Sequence, residues 1–225
     1  MNATRLHLTP LILTKIFSMP YMTYEDYRKT SLKHLKTCEY MIQNLHNISD
    51  NDSLDGLTKS QWKGHILRNI YYLCGYAIEG IVNYCIYKKV GYPIADNIES
   101  LKIDKLREHG TNFNFPLNRG LCFNWNKQGD KDVFYYSINN HNFQKNIKFL
   151  SFIEPSKFNH LQVVNNPRNP SIKNSVLFYD WNVKIRYQSE ETNYQPDPKL
   201  ELIEDEILDY FIFVRDELYS KLPTL

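Results

Sequence analysis

Apolar residues in the first part of the chain recur at steps of three and four, the spacing that lines one face of an α-helix. Leu32, Leu35, Cys38, Ile42 and Leu45 form such a stripe, which predicts a helix from Tyr24 to about His46. Thr23 stands before it with Asp26 three residues on, so each can satisfy a backbone or side-chain group of the other as a capping box. Residues 47–56 are polar turn formers and break the pattern. A second helix is predicted from about Ser60 to Lys89. Its apolar set of Leu67, Ile70, Tyr71, Cys74, Ile78, Ile81, Val82 and Cys85 covers an arc broad enough to pack on more than one neighbour. Arg68, Tyr72, Gly75, Glu79 and Asn83 fall on a row at the edge of that arc. Glycine in a helix interior costs about 1 kcal/mol against alanine. Close approach of another helix at Gly75 is the expected compensation.

Gly91-Tyr-Pro93 ends this helix, and a shorter one is expected around Asn97 to His109. From Thr111 to Asn174 the chain is rich in Asn, Phe, Tyr and Pro and loses a clear period. Within it, Asp132 to Ile138 reads as a strand. Phe143 to Phe152 reads as a helix with Phe143, Ile147 and Leu150 on one face. Order returns over Val176 to Tyr187. Asp197-Pro198 then opens a last helix with an acidic cap and proline in the first turn. Ile203, Ile207, Tyr210, Phe211, Val214 and Leu218 give that helix one apolar face. The expected fold is all-α: an up-and-down helical bundle with a large irregular insertion, about 111–175, containing a short β element. Residues 1–21 read as an extension of little order ahead of a helical domain over 22–225.

Length and composition fit one globular domain, at 225 residues with 42% apolar and 23% charged. A net charge of +2 lacks the strong basic footprint of many nucleic-acid binders, yet leaves room for a local patch. No apolar run approaches the roughly 20 residues of a membrane span, and the start lacks a signal-peptide cleavage site. The expectation is a cytoplasmic protein with no membrane partner. Cys38, Cys74, Cys85 and Cys122 include no C-x-x-C pair, and read as reduced core residues. Histidines 34, 46, 65, 109, 141 and 160 form no H-x-x-x-H or H-E-x-x-H pattern. Phosphate-loop and nucleophile-elbow motifs are missing too. Neither a metal nor a cofactor is expected.

The segment Arg68-x-x-Tyr-Tyr-Leu-x-Gly-Tyr-Ala-Ile-Glu79 resembles the second helix of the HEPN family. Tyr24-Glu-Asp-Tyr-Arg28 is similar to the first helix of those proteins. Trp181-x4-Arg186-Tyr187 is similar to an Arg-Tyr element ahead of their last helix. The resemblance implies a small helical bundle, usually a homodimer. It also implies a toxin–antitoxin, phage-defence or RNA-processing setting, and either metal-independent endoribonuclease activity or partnership with a minimal nucleotidyltransferase. This chain departs from the family in two places. Asn83 stands where a lysine is common four residues after the glutamate. The family's ribonuclease motif, Arg followed by four to six residues and His, has no counterpart after Arg186, since the last histidine is His160. Arg28 and His34 have that spacing, but on the first helix and about 120° apart around it.

These departures order the candidate roles. Arg186, with a permanently charged fork of donors, suits a phosphate, and Tyr187 a hydroxyl or a stacked base. A salt bridge from Arg186 to Glu79 is the structural alternative. Arg28 and His34 are a secondary catalytic candidate. Arg68, Tyr72, Tyr76 and Glu79 are candidates for binding, with Glu79 needing a buried partner in Arg68 or Arg186. Tyr71, Tyr72, Tyr76, Tyr84 and Tyr87 form either a stacking surface for single-stranded RNA or a dimer interface. The leading expectation is a non-catalytic or degenerate HEPN module that binds RNA, a nucleotide or a partner protein. The second is a metal-independent endoribonuclease with an atypical site around Arg186. The third is a structural dimeric helical protein with no nucleic-acid role.

Overall fold

The computed structural model describes residues 22–48, 56–101, 138, 141–166, 168–187 and 203–224; the side chains of residues 152, 153, 186 and 187 are outside the description. Expectations for residues 1–21, Cys122 and the cap at Asp197-Pro198 lie outside the described residues, as does the strand expected over Asp132 to Ile138 except for its last residue, Ile138, which is buried in helical conformation. Among the described residues there are helices and no strand, so the chain is all-α.

α1 (Tyr24–Asn44) begins at the expected capping box. Asp26 Oδ2 accepts from the Thr23 backbone N–H at 2.8 Å and from its hydroxyl at 3.0 Å. α2 (Lys59–Lys89) has a second box, in which the Thr58 N–H donates to Gln61 Oε1 at 2.8 Å. With 31 residues, α2 is about 46 Å long. α3 (Phe143–Ile153) occupies the stretch expected to be helical, and Phe143, Ile147 and Leu150 are fully buried. Short helices α4 (Pro155–Phe158), α5 (Gln162–Asn165) and α6 (Ser175–Asp180) follow. A 3-10 segment, Val183–Tyr187, comes next. α7 (Glu204–Ile212) continues as a π-helix over Phe213–Tyr219.

Residue pairs fix the directions. Tyr76 on α2 meets His34 on α1, Gly80 meets Ser31 and Tyr27, and Tyr84 meets Tyr24, so α1 and α2 are antiparallel. Glu79, Asn83 and Lys89 meet His141, Asn146 and Glu154 in turn, so α3 runs parallel to α2. Lys63 pairs with Glu204, Tyr71 packs on Tyr210 and Lys88 donates to the Pro223 carbonyl, so α7 is parallel to α2 as well. Up-and-down alternation therefore describes α1 and α2; the connections into α3 and α7 each carry the chain back along the bundle.

α2 is the centre. Ile70, Tyr71, Cys74, Ala77, Ile78, Ile81, Val82, Ile86 and Tyr87 are all buried, on every side of the helix, as expected of a helix enclosed by others. Cys38, Cys74 and Cys85 are buried free thiols. Burial pushes the Cys85 thiol up to about 12, so it stays a protonated apolar group.

Three details differ from the periodic reading. Leu32 is exposed, and the inward row of α1 runs through Tyr24, Tyr27, Ser31, Leu35 and Cys38. Ser31 returns its hydroxyl to the Tyr27 carbonyl at 3.0 Å, which satisfies this small side chain where α1 meets Gly80 of α2. Ile203 is exposed and extended, ahead of α7 rather than within it. The helix around Asn97 to His109 is a 3-10 turn, Ile98–Ser100, in its described part.

Gly75 does admit a close neighbour, but a side chain: a Cβ there would lie closer than 3.0 Å to three ring atoms of Trp181. Gly80 makes the helix–helix approach, where a Cβ would lie 2.8 Å from the Tyr27 carbonyl oxygen. Gly64, also on α2, has nothing within 4 Å of that position. Alanine at Gly64 is therefore expected to stabilise by up to about 1 kcal/mol through helix propensity. Alanine at Gly75 or Gly80 is expected to destabilise by about 1–3 kcal/mol, because overpacking outweighs the same propensity gain. Urea unfolding of the three variants checks the ordering; equal effects at all three positions would remove the packing explanation.

Candidate functional site

The α2–α3 contact is built from polar pairs inside an apolar frame. Glu79 is 6% exposed, and Oε2 lies 3.0 Å from Nδ1 of His141. One turn on, Asn146 Nδ2 donates to Asn83 Oδ1 and to the Ile138 carbonyl, both at 3.0 Å. Lys89 pairs with Glu154 near the end of both helices. Asn83 and Asn146 are fully buried. The pairs hold the register of two parallel helices that apolar packing alone would leave freer to slide.

Glu79 is the acid that needed a buried partner, and the partner is His141. Arg68, eleven residues earlier on α2, has Nη1 3.3 Å from His65 Nδ1. Burial raises the Glu79 carboxyl above its ordinary range, and the hydrogen bond and charge of His141 offset part of that rise. With the carboxylate accepting at Nδ1, Nε2 is the ring nitrogen left for another group. His141 is about half exposed at 48%. Its φ of +55° lies in the left-handed region, sparsely used by non-glycine residues but more open to histidine and asparagine than to most.

An aromatic wall stands beside this pair. The Tyr76 ring meets His141 edge-on at 5.7 Å and Trp181 at 5.4 Å. Tyr72 packs on Tyr76 at 4.8 Å and donates its hydroxyl to the Tyr76 hydroxyl at 3.0 Å. Trp181 is nearly buried, and its indole N–H donates to the Tyr72 carbonyl at 3.2 Å, over Gly75. Gln144 on α3 donates to the carbonyls of Phe178 and Trp181, at 2.9 and 3.2 Å, which fixes the turn that delivers the indole. Tyr72 and Tyr76 remain partly exposed. His34 on α1 lies 5.8 Å from the Tyr76 ring, on a partly exposed flank. Burial, and then neighbouring Lys33, lowers its pKa below the ordinary histidine value.

The structure thus brings together Tyr72, Tyr76, Glu79 and His34 from the sequence-predicted candidates. It adds His141 and Trp181. Arg28 makes its contact elsewhere, with Nε donating to Glu25 Oε1 at 2.6 Å. Arg186 and Tyr187 end the 3-10 segment that packs on α2 through buried Ile185; their side chains lie outside the described residues. His141 carries no motif: it lies 62 positions from Glu79, and only the demand of a buried acid for a partner pointed to such a residue. Among the described residues, no group of three His, Cys, Asp or Glu is placed to hold a metal ion, and no helix is long and apolar enough to cross a membrane. A cavity of about 310 Å³ lies against Phe213 and Glu217 of the π-helix. Its charges are engaged within the protein, Lys173 with Asp209 and His160 with Glu217.

The Glu79 environment has a pH signature. A carboxyl with a raised folded pKa favours the fold below its ordinary value of 4.5 and disfavours it increasingly as pH rises through the raised value. Glu79→Gln keeps an acceptor for His141 and removes the charge. Relative to wild type it should be near neutral at pH 4 and more stable at pH 7.5, by on the order of a few degrees in melting temperature. The depressed pKa of His34 acts with the opposite sign, destabilising on acidification, but is common to both proteins and cancels. Thermal melts of both across that range decide the matter, and a pH-independent difference would contradict a buried charge at Glu79.

Comparison with protein-family models, with curated proteins and with solved structures finds no match.

Proposed function

We propose that this chain is a HEPN-like helical module that binds single-stranded RNA on the face where α1, α2 and the start of α3 meet. One observation carries the reading: the buried Glu79 carboxylate holds a half-exposed imidazole, His141, against the partly exposed rings of Tyr76 and Tyr72. Bases of any identity stack on such rings. Exposed Lys33 supplies positive charge along the same edge, and the rings of His141 and His34 supply hydrogen-bonding nitrogens. Arg186, at the end of the segment that begins just after Trp181, adds a phosphate contact in this reading, with Tyr187 beside it. Arg68, farther along α2, lengthens the track.

The setting that goes with the HEPN resemblance is a cytoplasmic homodimer acting in toxin–antitoxin or defence systems, alone or with a nucleotidyltransferase-type partner. A dimer interface formed by Tyr72 and Tyr76 competes for the same rings as RNA, so the oligomeric state must be followed alongside binding.

Fluorescence anisotropy with a labelled, unstructured oligoribonucleotide in EDTA tests the reading. Tyr76→Leu should weaken binding by about 10-fold, within the 1–3 kcal/mol typical of a stacked base. Arg186→Ala should weaken it across sequences and lower the salt slope by about one. Sedimentation of the same samples should show an unchanged oligomer. Absence of binding by the wild type at tens of micromolar would end the RNA reading; loss of the dimer in Tyr76→Leu would reassign the rings to the interface.

A further inference from the structure

We propose that Cys38 and Cys74 are a redox-active dithiol, which hydrogen peroxide converts into a disulfide that ties α1 to α2. The inference stands apart from the RNA-binding reading and needs none of its residues.

The antiparallel seam of α1 and α2 puts the two cysteines at one level. Ser31 meets Gly80 across that seam. Cys38 lies two turns after Ser31 on the same inward row, and Cys74 lies two turns before Gly80. At about 1.5 Å of rise per residue, their heights along the seam differ by roughly one residue. The thiols bear this out. The Cys38 thiol donates to the Ile70 carbonyl at 3.6 Å, one turn before Cys74. A helical side chain leans over the turn on its N-terminal side, so the Cys74 sulfur lies against that same turn. The two thiols are also hydrogen-bonded to each other. Both side chains are fully buried. Cys85 provides the contrast within α2: it is a buried free thiol on the same helix, and the structure gives it no sulfur neighbour.

The same burial sets how the pair reacts. Burial, and then the Cys38 thiol, pushes Cys74 above its ordinary range, so the closed seam holds thiols rather than the reactive thiolate. α1 is an outer helix held mainly by α2, and reaction begins when its C-terminal half lifts. One thiol then gives its proton to water, and its sulfur attacks an oxygen of hydrogen peroxide. The O–O bond breaks, hydroxide leaves and takes up a proton, and the sulfur becomes a sulfenic acid. As the seam closes, the second sulfur attacks the first. The S–S bond forms, the S–O bond breaks, and a second water carries off the remaining thiol proton. Two electrons have passed from the sulfurs to the peroxide. The product covalently joins α1 to α2 one turn from the contact of His34 with Tyr76, so α1 no longer lifts there.

The test treats the full folded chain, carrying Cys122→Ser to remove the thiol outside the described residues, with hydrogen peroxide. Free thiols are then blocked in acid and the chain is mapped with chymotrypsin, which cuts at Tyr76 and Tyr84 and so separates Cys74 from Cys85. Expected is the paired loss of the Cys38 and Cys74 thiols, with two hydrogens fewer in mass and one cross-linked peptide that dithiothreitol releases. Cys85 should remain a thiol. The oxidised chain should melt about 5 °C or more above the reduced one, because the bond closes a long loop in the unfolded state. Cys38→Ala and Cys74→Ala should each abolish the cross-link, and Cys85→Ala should leave it. Oxygen added to single cysteines without a cross-link overturns the pair, as does loss of the Cys85 thiol at the same rate. A cross-link that forms only after unfolding in urea, or an oxidised chain that melts lower, overturns it too; neither reading needs the alanine variants to fold.

Discussion

The enclosure of α2 constrains everything else in this molecule. A helix with neighbours on all sides has no solvent to receive its polar residues, so each must find a partner inside the protein or impose a desolvation cost. Glu79 and Asn83 are the two such residues in the middle of α2, and both face α3. Their partners, His141 and Asn146, set where α3 begins and how it is registered. The same requirement brings a histidine to the edge of the bundle, beside Tyr76, that helix packing alone would not place there.

Most of the scaffold was legible from period and capping. α1, α2 and α3 begin within a residue of where stripe and cap place them, because apolar spacing reports directly which face is buried. The misreadings have local causes. Leu32 outranks Ser31 on any hydrophobicity scale, yet the inward row passes through Ser31: small size decides where two helices meet at Gly80, and the hydroxyl is satisfied within its own helix. Gly75 correctly signalled close approach, but periodicity could not say that an indole 106 residues away would fill the space. The π-helix at the end of α7 left no mark either, since Val214 and Leu218 suit an α-helical stripe equally well.

The candidate site was legible as a row and not as a constellation. Tyr72, Gly75, Glu79 and Asn83 share an edge of α2 by helical spacing, and they do line one face of the site. His141 belongs to the segment where the period fails, in a backbone conformation that no repeat would reveal. It could be inferred only as a vacancy in the bonding of Glu79. The expected partners there are Arg68 and Arg186; Arg68 instead has Nη1 3.3 Å from His65 Nδ1, and the Arg186 side chain lies outside the described residues.

That substitution of histidine for arginine changes what the contact can do. An arginine paired with Glu79 would stay charged and hold its proton at any accessible pH; an imidazole in the same position presents a second ring nitrogen, Nε2, to a further group. For structure alone the imidazole is the poorer choice: the Glu79 carboxyl remains raised above its ordinary range, and His141 must adopt a left-handed backbone to reach it. The Glu79–His141 contact reaches solvent beside two partly exposed tyrosines, whereas one turn on Asn83 Nδ2 and Asn146 Oδ1 are buried without a hydrogen-bond partner.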